Sequence, residues 1–522
     1  MEAAKLLLAL LVVVAIMVTV SRRLRVPYPV LLLLGGLAIG ALPIAPRLEI
    51  PPDAVLVLVL PPLVYVAAFF TPIRSFRADI GNIASLAVGL VLASTVVAAG
   101  VALLIVPGMT VPVAIALGAI VSPPDEVAAT AVMERLAVPR RVIALLDGEA
   151  LLNDATALTV YKVALVAAAA AAPSLSPAPI GSFFVVAAFG IAVGLAVGWV
   201  VAWIRSRLSD VPVEITVSLL TPYAAYLPAE LIGGSGILAA VTAGLYLGRR
   251  SSRIMGSDTR LAGRAFWEML VFLLNGLVFI LIGLEISALA RDVDRATIAE
   301  LGLAGIAVTV ALLAVRAVWI LAIAAWQRLV LRERDPLAPS EIGVLSWSGM
   351  RGAVSLAAAL AIPLALPSGS PFPARNAVIA ITFVVILVTL LGQGTLLPLV
   401  IRAVRLGADD DASAEETQAR RELLGEAMRR IDDLYERWPG HRPLLDQIRT
   451  AYQHRAEHEE QLDEAPGSEA EQELVEHRQI RRDVIDAQRD ALLRMRDRGA
   501  IDDDVLRNIE RDLDLEEIRM EA

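Results

Sequence analysis

The chain has no cysteine. That excludes a disulfide framework, a thiolate metal site and a cysteine nucleophile. Histidine is nearly as scarce, with four in 522 residues (His441, His454, His458 and His477), all near the C-terminal end. The long stretch before them has no imidazole, so any proton handled there must sit on a carboxylate. Lysine occurs only as Lys5 and Lys162, in a chain otherwise stocked with arginine. A phosphate-binding loop with its lysine is missing, as is a zinc-type His/Cys cluster, so nothing points to an enzyme.

Apolar residues are what the chain has in abundance. They make up 57% of it, with a mean hydropathy of +0.66. That is too apolar for a soluble protein of this length. Apolar segments recur at ~20 residues, the length that crosses a bilayer core. Breaks at Pro, Gly and Arg clusters give thirteen candidate spans: 5–21, 27–45, 53–72, 80–106, 110–134, 139–172, 180–204, 211–229, 234–249, 262–288, 297–327, 341–366 and 374–404. The sequence therefore predicts an all-α, polytopic membrane protein. Its first segment, Leu6 to Val20, lacks a small-residue cleavage site before its basic flank and reads as a retained helix.

Charge gives the orientation. Loops after odd-numbered spans carry eighteen arginines, among them Arg22, Arg74, Arg140, Arg205, Arg249 and Arg328. Loops on the other side carry five basic residues. By the positive-inside rule the N-terminus lies outside the plasma membrane and the C-terminal tail lies in the cytoplasm. The chain thus divides into a transmembrane domain, 1–406, and an acidic, helical, regulatory tail, 407–522. From Ala408 onward the net charge is −15, against +6 before it.

Within the tail, Asp409 to Glu416 reads as an acidic linker. Helical patterning follows over 417–437, 441–462, 468–498 and 502–519, with Gly499 as a break and Asp502 as an N-cap. Leu423, Met428, Ile431 and Leu434 suit a small bundle or a dimerising helix pair, and a solvated tail is the alternative. His454 and His458, four apart, either sense cytoplasmic pH, bind a metal or are plain surface groups.

Two spans are interrupted alike. Span five holds Ser122-Pro123-Pro124-Asp125-Glu126, and span twelve holds Ser348-Gly349-Met350-Arg351-Gly352. Consecutive prolines bar regular helix, and the glycines around Arg351 loosen it. An offset of seven spans makes the two run in opposite directions. Such pairs of broken, crossing helices point to an inverted-repeat transporter with a midplane site; ordinary proline kinks are the alternative.

Span six carries Asp147-Gly148-Glu149-Ala150-Leu151-Leu152-Asn153-Asp154. Carboxylates at mid-membrane cost roughly 2.5–3.5 kcal/mol each, so a chain that keeps them has a use for them. Asp154 and Asn153 offer hard oxygen ligands for Na⁺, Li⁺ or K⁺. Asp125 can add a second carboxylate, and the broken helix frees carbonyls such as that of Pro124. A carboxylate in such a site holds a cation or a proton in exchange. The bland reading makes Asp154 a hydrogen-bonded structural residue between helices. Glu149 lies one turn before Asn153. Arg351 is its natural counter-charge, and we expect a structural ion pair, Glu149–Arg351, joining the two broken helices. The competing reading makes Glu149 a direct ligand. Lys162, two turns past Asp154, either modulates that carboxylate or snorkels outward. Glu126 is open as a second modulator; Glu268 and Glu285 read as interfacial.

Val121 to Thr130, Gly148 to Ala155 and Gly349 to Val354 resemble the three signatures of monovalent cation/proton antiporters of the NhaP/NHE type. The likeness covers about residues 5–404. It implies a homodimer with a dimerisation part and a mobile six-helix core, and exchange by elevator-like alternation with Asp154 as the shared cation and proton site. It also implies that Asn153 shapes the site and that Asp125 sits at the helix crossing. The family often has Thr-Asp-Pro in span five, where this chain has Pro124-Asp125-Glu126, leaving Ser122, backbone carbonyl and water to complete coordination. Many members carry an acid after the Leu-Pro-Pro of span three, where this chain has Tyr65 and Val66.

The expected function is secondary exchange of a monovalent cation, Na⁺ foremost, for protons, with no cofactor and no nucleic acid partner. A K⁺/H⁺ antiporter, a cation channel or uniporter, and a membrane-anchored sensor acting through the tail are the alternatives.

Overall fold

A computed structural model of the chain describes residues 2–24, 28–42, 52–71, 76, 79–125, 133, 138–169, 178–292, 295–331, 336–366, 369–404, 410–464, 469–498, 500, 505–506, 509–510, 513–514 and 516–517. Glu126, Gly499 and Asp502 lie outside the described residues, as do the side chains of Glu285, His454 and His458. Two compact units emerge, Met1–Asp409 and Asp410–Ala522.

The first unit is built of helices. In chain order these are α1 (Glu2–Leu24), α2 (Tyr28–Gly40), α3 (Pro52–Phe70), α4 (Ile80–Ile105), α5 (Val111–Val121), α6 (Arg140–Ala169), α7 (Ala178–Arg205), α8 (Val211–Leu231), α9 (Gly236–Ile254), α10 (Ser257–Asp292), α11 (Arg295–Trp326), α12 (Pro339–Trp347), α13 (Ala353–Leu360) and α14 (Arg375–Ala403). Among the described residues, six helical stretches are long and apolar enough to cross a membrane by length and composition; they lie in α4, α6, α7, α10 and α14, and in α11 with its π-helical continuation to Val330. Shorter apolar helices are Ala9–Ser21, Tyr28–Gly40, Val57–Phe70 and Val111–Val121.

Rows of small residues decide which helices touch. Gly190, Gly194 and Gly198 on α7 meet α9 so closely that a Cβ on Gly190 would fall 2.5 Å from the Ser235 carbonyl oxygen, and one on Gly194 2.4 Å from that of Ala239. In turn, Gly244 and Gly248 of α9 press on the Tyr65 and Phe69 carbonyls of α3, and Gly36 of α2 presses on the Ile280 carbonyl of α10. Lipid supplies no hydrophobic drive between helices, so this close backbone approach supplies the packing that associates them. One group comprises α1–α3 and α7–α10. The other, α4–α6 with α11–α14, packs through contacts such as Gly118 on the Thr95 carbonyl and Gly305 on Val384.

The second unit contains α15 (Asp410–Arg437), α16 (Arg442–Glu464) and α17 (Glu469–Asp497). The first two form a hairpin around the 3₁₀ turn Pro439–His441, joined by Arg449–Asp432 and Tyr435–Asp446 contacts. Residues 410–416, expected as linker, are the first turns of α15. Negative charge in the first turns of a helix complements its dipole, so an acidic run favours helix over linker.

Candidate ion site at the crossing of two broken helices

Helix α5 stops at Val121, and residues 122–125 run non-helically, because Pro123 and Pro124 have no N–H to donate. Helix α12 stops at Trp347, and the chain is unwound from Ser348 to Gly352 before α13 begins. The two unwound segments meet. Asp125 N–H donates to the Met350 carbonyl at 2.7 Å. The Asp125 carboxyl lies against Gly352, where a Cβ would fall 1.4 Å from Oδ2. Only glycine fits there.

The C-terminal ends of α5 and α12 leave carbonyls without helical partners. An arginine caps each. Arg351 Nε donates to the Val121 carbonyl at 2.8 Å, and its Nη1 bonds that of Gly349. Arg316, from the middle of α11, donates through Nε to the Leu345 carbonyl at 2.8 Å. Positive charge is favoured at both ends by the helix dipole.

Helix α6 brings the acid run to this crossing through its buried face. Asn153 is fully buried, and its Nδ2 donates to the Pro124 carbonyl at 3.1 Å, while its Oδ1 has no hydrogen-bond partner among the described residues. Glu149 is held at two points by Arg316, with Nη1–Oε1 at 2.6 Å and Nη2–Oε2 at 2.8 Å. This corrects the expected Glu149–Arg351 pair. The reason is geometric: the Arg316 guanidinium presents its fork to the carboxylate, whereas that of Arg351 is committed to backbone carbonyls. Arg316 was legible as a lone charge inside an apolar span, yet nothing in its spacing named Glu149.

A cavity of about 530 Å³ opens beside the crossing. Asp154, Asp125, Asp147, Pro124 and Ser355 line it from α6 and the broken segments, and Tyr28, Trp267, Glu268, Phe272 and Asn275 from the other group of helices. Ser122 is not in this wall; it is buried, and its hydroxyl donates to the Ala119 carbonyl at 3.1 Å. Lys162 is half exposed and pairs with a residue other than Asp154. Its Nζ meets both Glu230 carboxylate oxygens of α8, at 2.8 Å and 2.6 Å. Glu230 also accepts from Gly236 N–H at the start of α9. Among the described residues no group of three or more His, Cys, Asp or Glu is arranged to hold a metal ion.

The family model for the transmembrane sodium/hydrogen exchanger matches residues 8–403. The chain belongs to the sodium/hydrogen exchanger family. It is a multi-pass membrane protein of a family that exchanges cations for protons. Among its relatives, an uncharacterised Na⁺/H⁺ exchanger of Mycobacterium tuberculosis is 35% identical over 98% of this chain and 95% of its own length. A sodium, potassium, lithium and rubidium/H⁺ antiporter of Bacillus pumilus is 32% identical over 78% of this chain and 62% of its own. The sodium proton antiporter MjNhaP1 of Methanocaldococcus jannaschii matches in structure with a TM-score of 0.62, covering 77% of this chain and 99% of that one at 20% identity. The exchanger described here therefore shares the all-helical NhaP fold.

Proposed function

We propose that this exchanger carries one monovalent cation, Na⁺ foremost, against protons across the plasma membrane, with cation and proton competing for Asp154. The observation that carries this reading is the shared cavity: Asp154 and Asp125 line one space at the crossing of two broken helices. The unpartnered Asn153 Oδ1 beside Asp154, together with the Pro124 carbonyl, adds hard oxygen of the kind alkali cations bind. Ser122 contributes by supporting the α5 end rather than as a ligand.

The same reading takes the membrane unit as thirteen spans in inverted repeats, α5 and the α12–α13 pair being the equivalent broken helices. It takes the N-terminus as outside, the tail as cytoplasmic and regulatory, and the protein as a homodimer. The group α4–α6 with α11–α14 moves as an elevator against the other. On that topology the cavity opens to the cytoplasm, since it is lined by the start of α2, the end of α3 and the first half of α6. A K⁺/H⁺ exchanger is the second reading, favoured by the ions named for the Bacillus pumilus relative.

The test is a proteoliposome series in which Na⁺, Li⁺ and K⁺ are added against a pH-sensitive dye. Na⁺-driven proton movement is expected, and Asp154→Asn abolishes it. Retained exchange in that variant would remove Asp154 from the site, and a response to K⁺ alone would select the second reading.

A further inference from the structure

Helix α14 contains a π-helical turn, Thr389–Gln393. Such turns re-aim side chains inside an otherwise regular helix and recur at functional sites. Here both polar residues address the broken helix, Thr389 its unwound segment and Gln393 the last residue of α12. Thr389 Oγ1 accepts from the Arg351 N–H at 3.1 Å. Gln393 Nε2 donates to the Trp347 carbonyl at 2.6 Å, and Trp347 Nε1 donates back to the Gln393 carbonyl at 3.2 Å. Thr389 is 2% exposed.

The Arg351 N–H and the Met350 carbonyl belong to one peptide plane and point in opposite directions. That plane is gripped from both sides, by Thr389 on its N–H and by the Asp125 N–H on its carbonyl. The next plane along is gripped in the same way. Asp125 N–H and the Pro124 carbonyl are again one peptide unit, and the Pro124 carbonyl accepts from Asn153 Nδ2. The bonds therefore run in one line and one sense. Asn153 donates to Pro124, Asp125 to Met350 and Arg351 to Thr389, whose hydroxyl donates to the Val385 carbonyl at 2.8 Å. Chains of this kind strengthen each member, because each peptide polarises the next.

We propose that Thr389 is a positioning residue of the ion site, acting on Asp125 and Asn153 through two rigid peptide planes. It touches neither the cavity nor the cation. Its hydroxyl anchors the far end of a strut whose near end lies one residue from Asp154. Without the acceptor at Thr389 the Met350–Arg351 plane can tilt, and Asp125 and the Pro124 carbonyl shift with it. The proposal rests on the exchange reading given above.

The experiment compares the wild type, Thr389→Val and Thr389→Ser in proteoliposomes, with rates referred to folded protein measured by size-exclusion chromatography. Thr389→Val keeps shape and loses the acceptor. Its apparent KM for Na⁺ should rise roughly fivefold or more, the scale of one buried hydrogen bond, with a displaced pH profile and a maximal rate changed far less. Thr389→Ser keeps the acceptor and should restore the wild-type KM. Where Thr389→Val gives no folded protein, Thr389→Cys, a poor acceptor of similar size, is measured in its place and should fall on the same side. Lower yield or melting temperature with KM and pH profile unchanged would overturn the proposal, and so would an equal effect in Thr389→Ser. A wild type silent towards Na⁺, Li⁺ and K⁺ would instead overturn the exchange reading itself.

Discussion

Glu149 and Arg316 form a two-point ion pair between α6 and α11, with each side chain only 1% exposed. The same guanidinium holds the Leu345 carbonyl near the end of α12. One side chain thus joins three helices around the crossing. Removing one partner of a buried pair leaves the other charge uncompensated, at a cost of about 3–5 kcal/mol. Glu149→Ala and Arg316→Ala should each lower the yield and melting temperature of the purified protein sharply. An Arg316→Ala protein with a wild-type melting curve would contradict this role.

Gly352 admits the Asp125 carboxyl where a methyl group would overlap it. Gly352→Ala should abolish cation-driven proton movement with a smaller effect on folding than Arg316→Ala. Size-exclusion profiles beside dye assays on the same preparation separate the two effects. Unchanged transport would mean that the carboxyl has another place to go.

Lys162 and Glu230 tie α6 to α8, across the boundary between the two groups of helices. In the proposed topology the pair lies towards the outer side, away from the cavity mouth. Exchange by relative movement of the groups should then break and remake it. A Lys162→Cys, Glu230→Cys protein should lose exchange on cross-linking and regain it on reduction. The native chain has no cysteine to confuse the result. Full exchange in the cross-linked protein would exclude movement between these two helices.

In the tail, Glu517 is held below the usual carboxylate range, chiefly by its hydrogen bond to Arg489. A lowered pKa in the folded state stabilises above the ordinary carboxylate pKa, and the contribution is lost as pH falls through the lowered value. Both partners are solvent-facing, so the effect is small and salt-sensitive. Hydrogen exchange of the full-length protein should show residues 513–514 and 516–517 opening faster as pH falls below that range, after correction for intrinsic rates. Arg489→Ala should open them already at neutral pH.

Some of this was legible before any coordinates. Pro123 and Pro124 announce the break in α5, because a residue without N–H cannot continue a helix. The flanking glycines do the same around Arg351. The Glu149 partner was not legible. Two arginines stood in apolar spans, and only packing decides which one reaches a residue 167 positions away in the chain. Thr389 and Gln393 were hidden for another reason: a π-turn leaves no signature in hydropathy, and both residues pass for polar spots on an apolar helix. The rows Gly190-Gly194-Gly198 and Gly244-Gly248 were there to be read as helix contacts. The tail failed at Asp410 to Glu416, where charge suggested a linker but helix-end electrostatics favoured a helix.

The capping of both broken helices by arginine bears on leakage. Arg316 is occupied by Glu149 and Leu345, and Arg351 by the carbonyls of Val121 and Gly349. Neither is placed to neutralise Asp154. On the proposed reading, an ionised Asp154 without its cation carries a charge that neither arginine cancels, and such a charge is expensive to carry through a low-dielectric barrier. With a proton or a cation aboard that penalty falls. In the proposed exchange cycle the return stroke would be blocked when empty and permitted when loaded, so tight coupling between the two ions would follow from where the arginines are not.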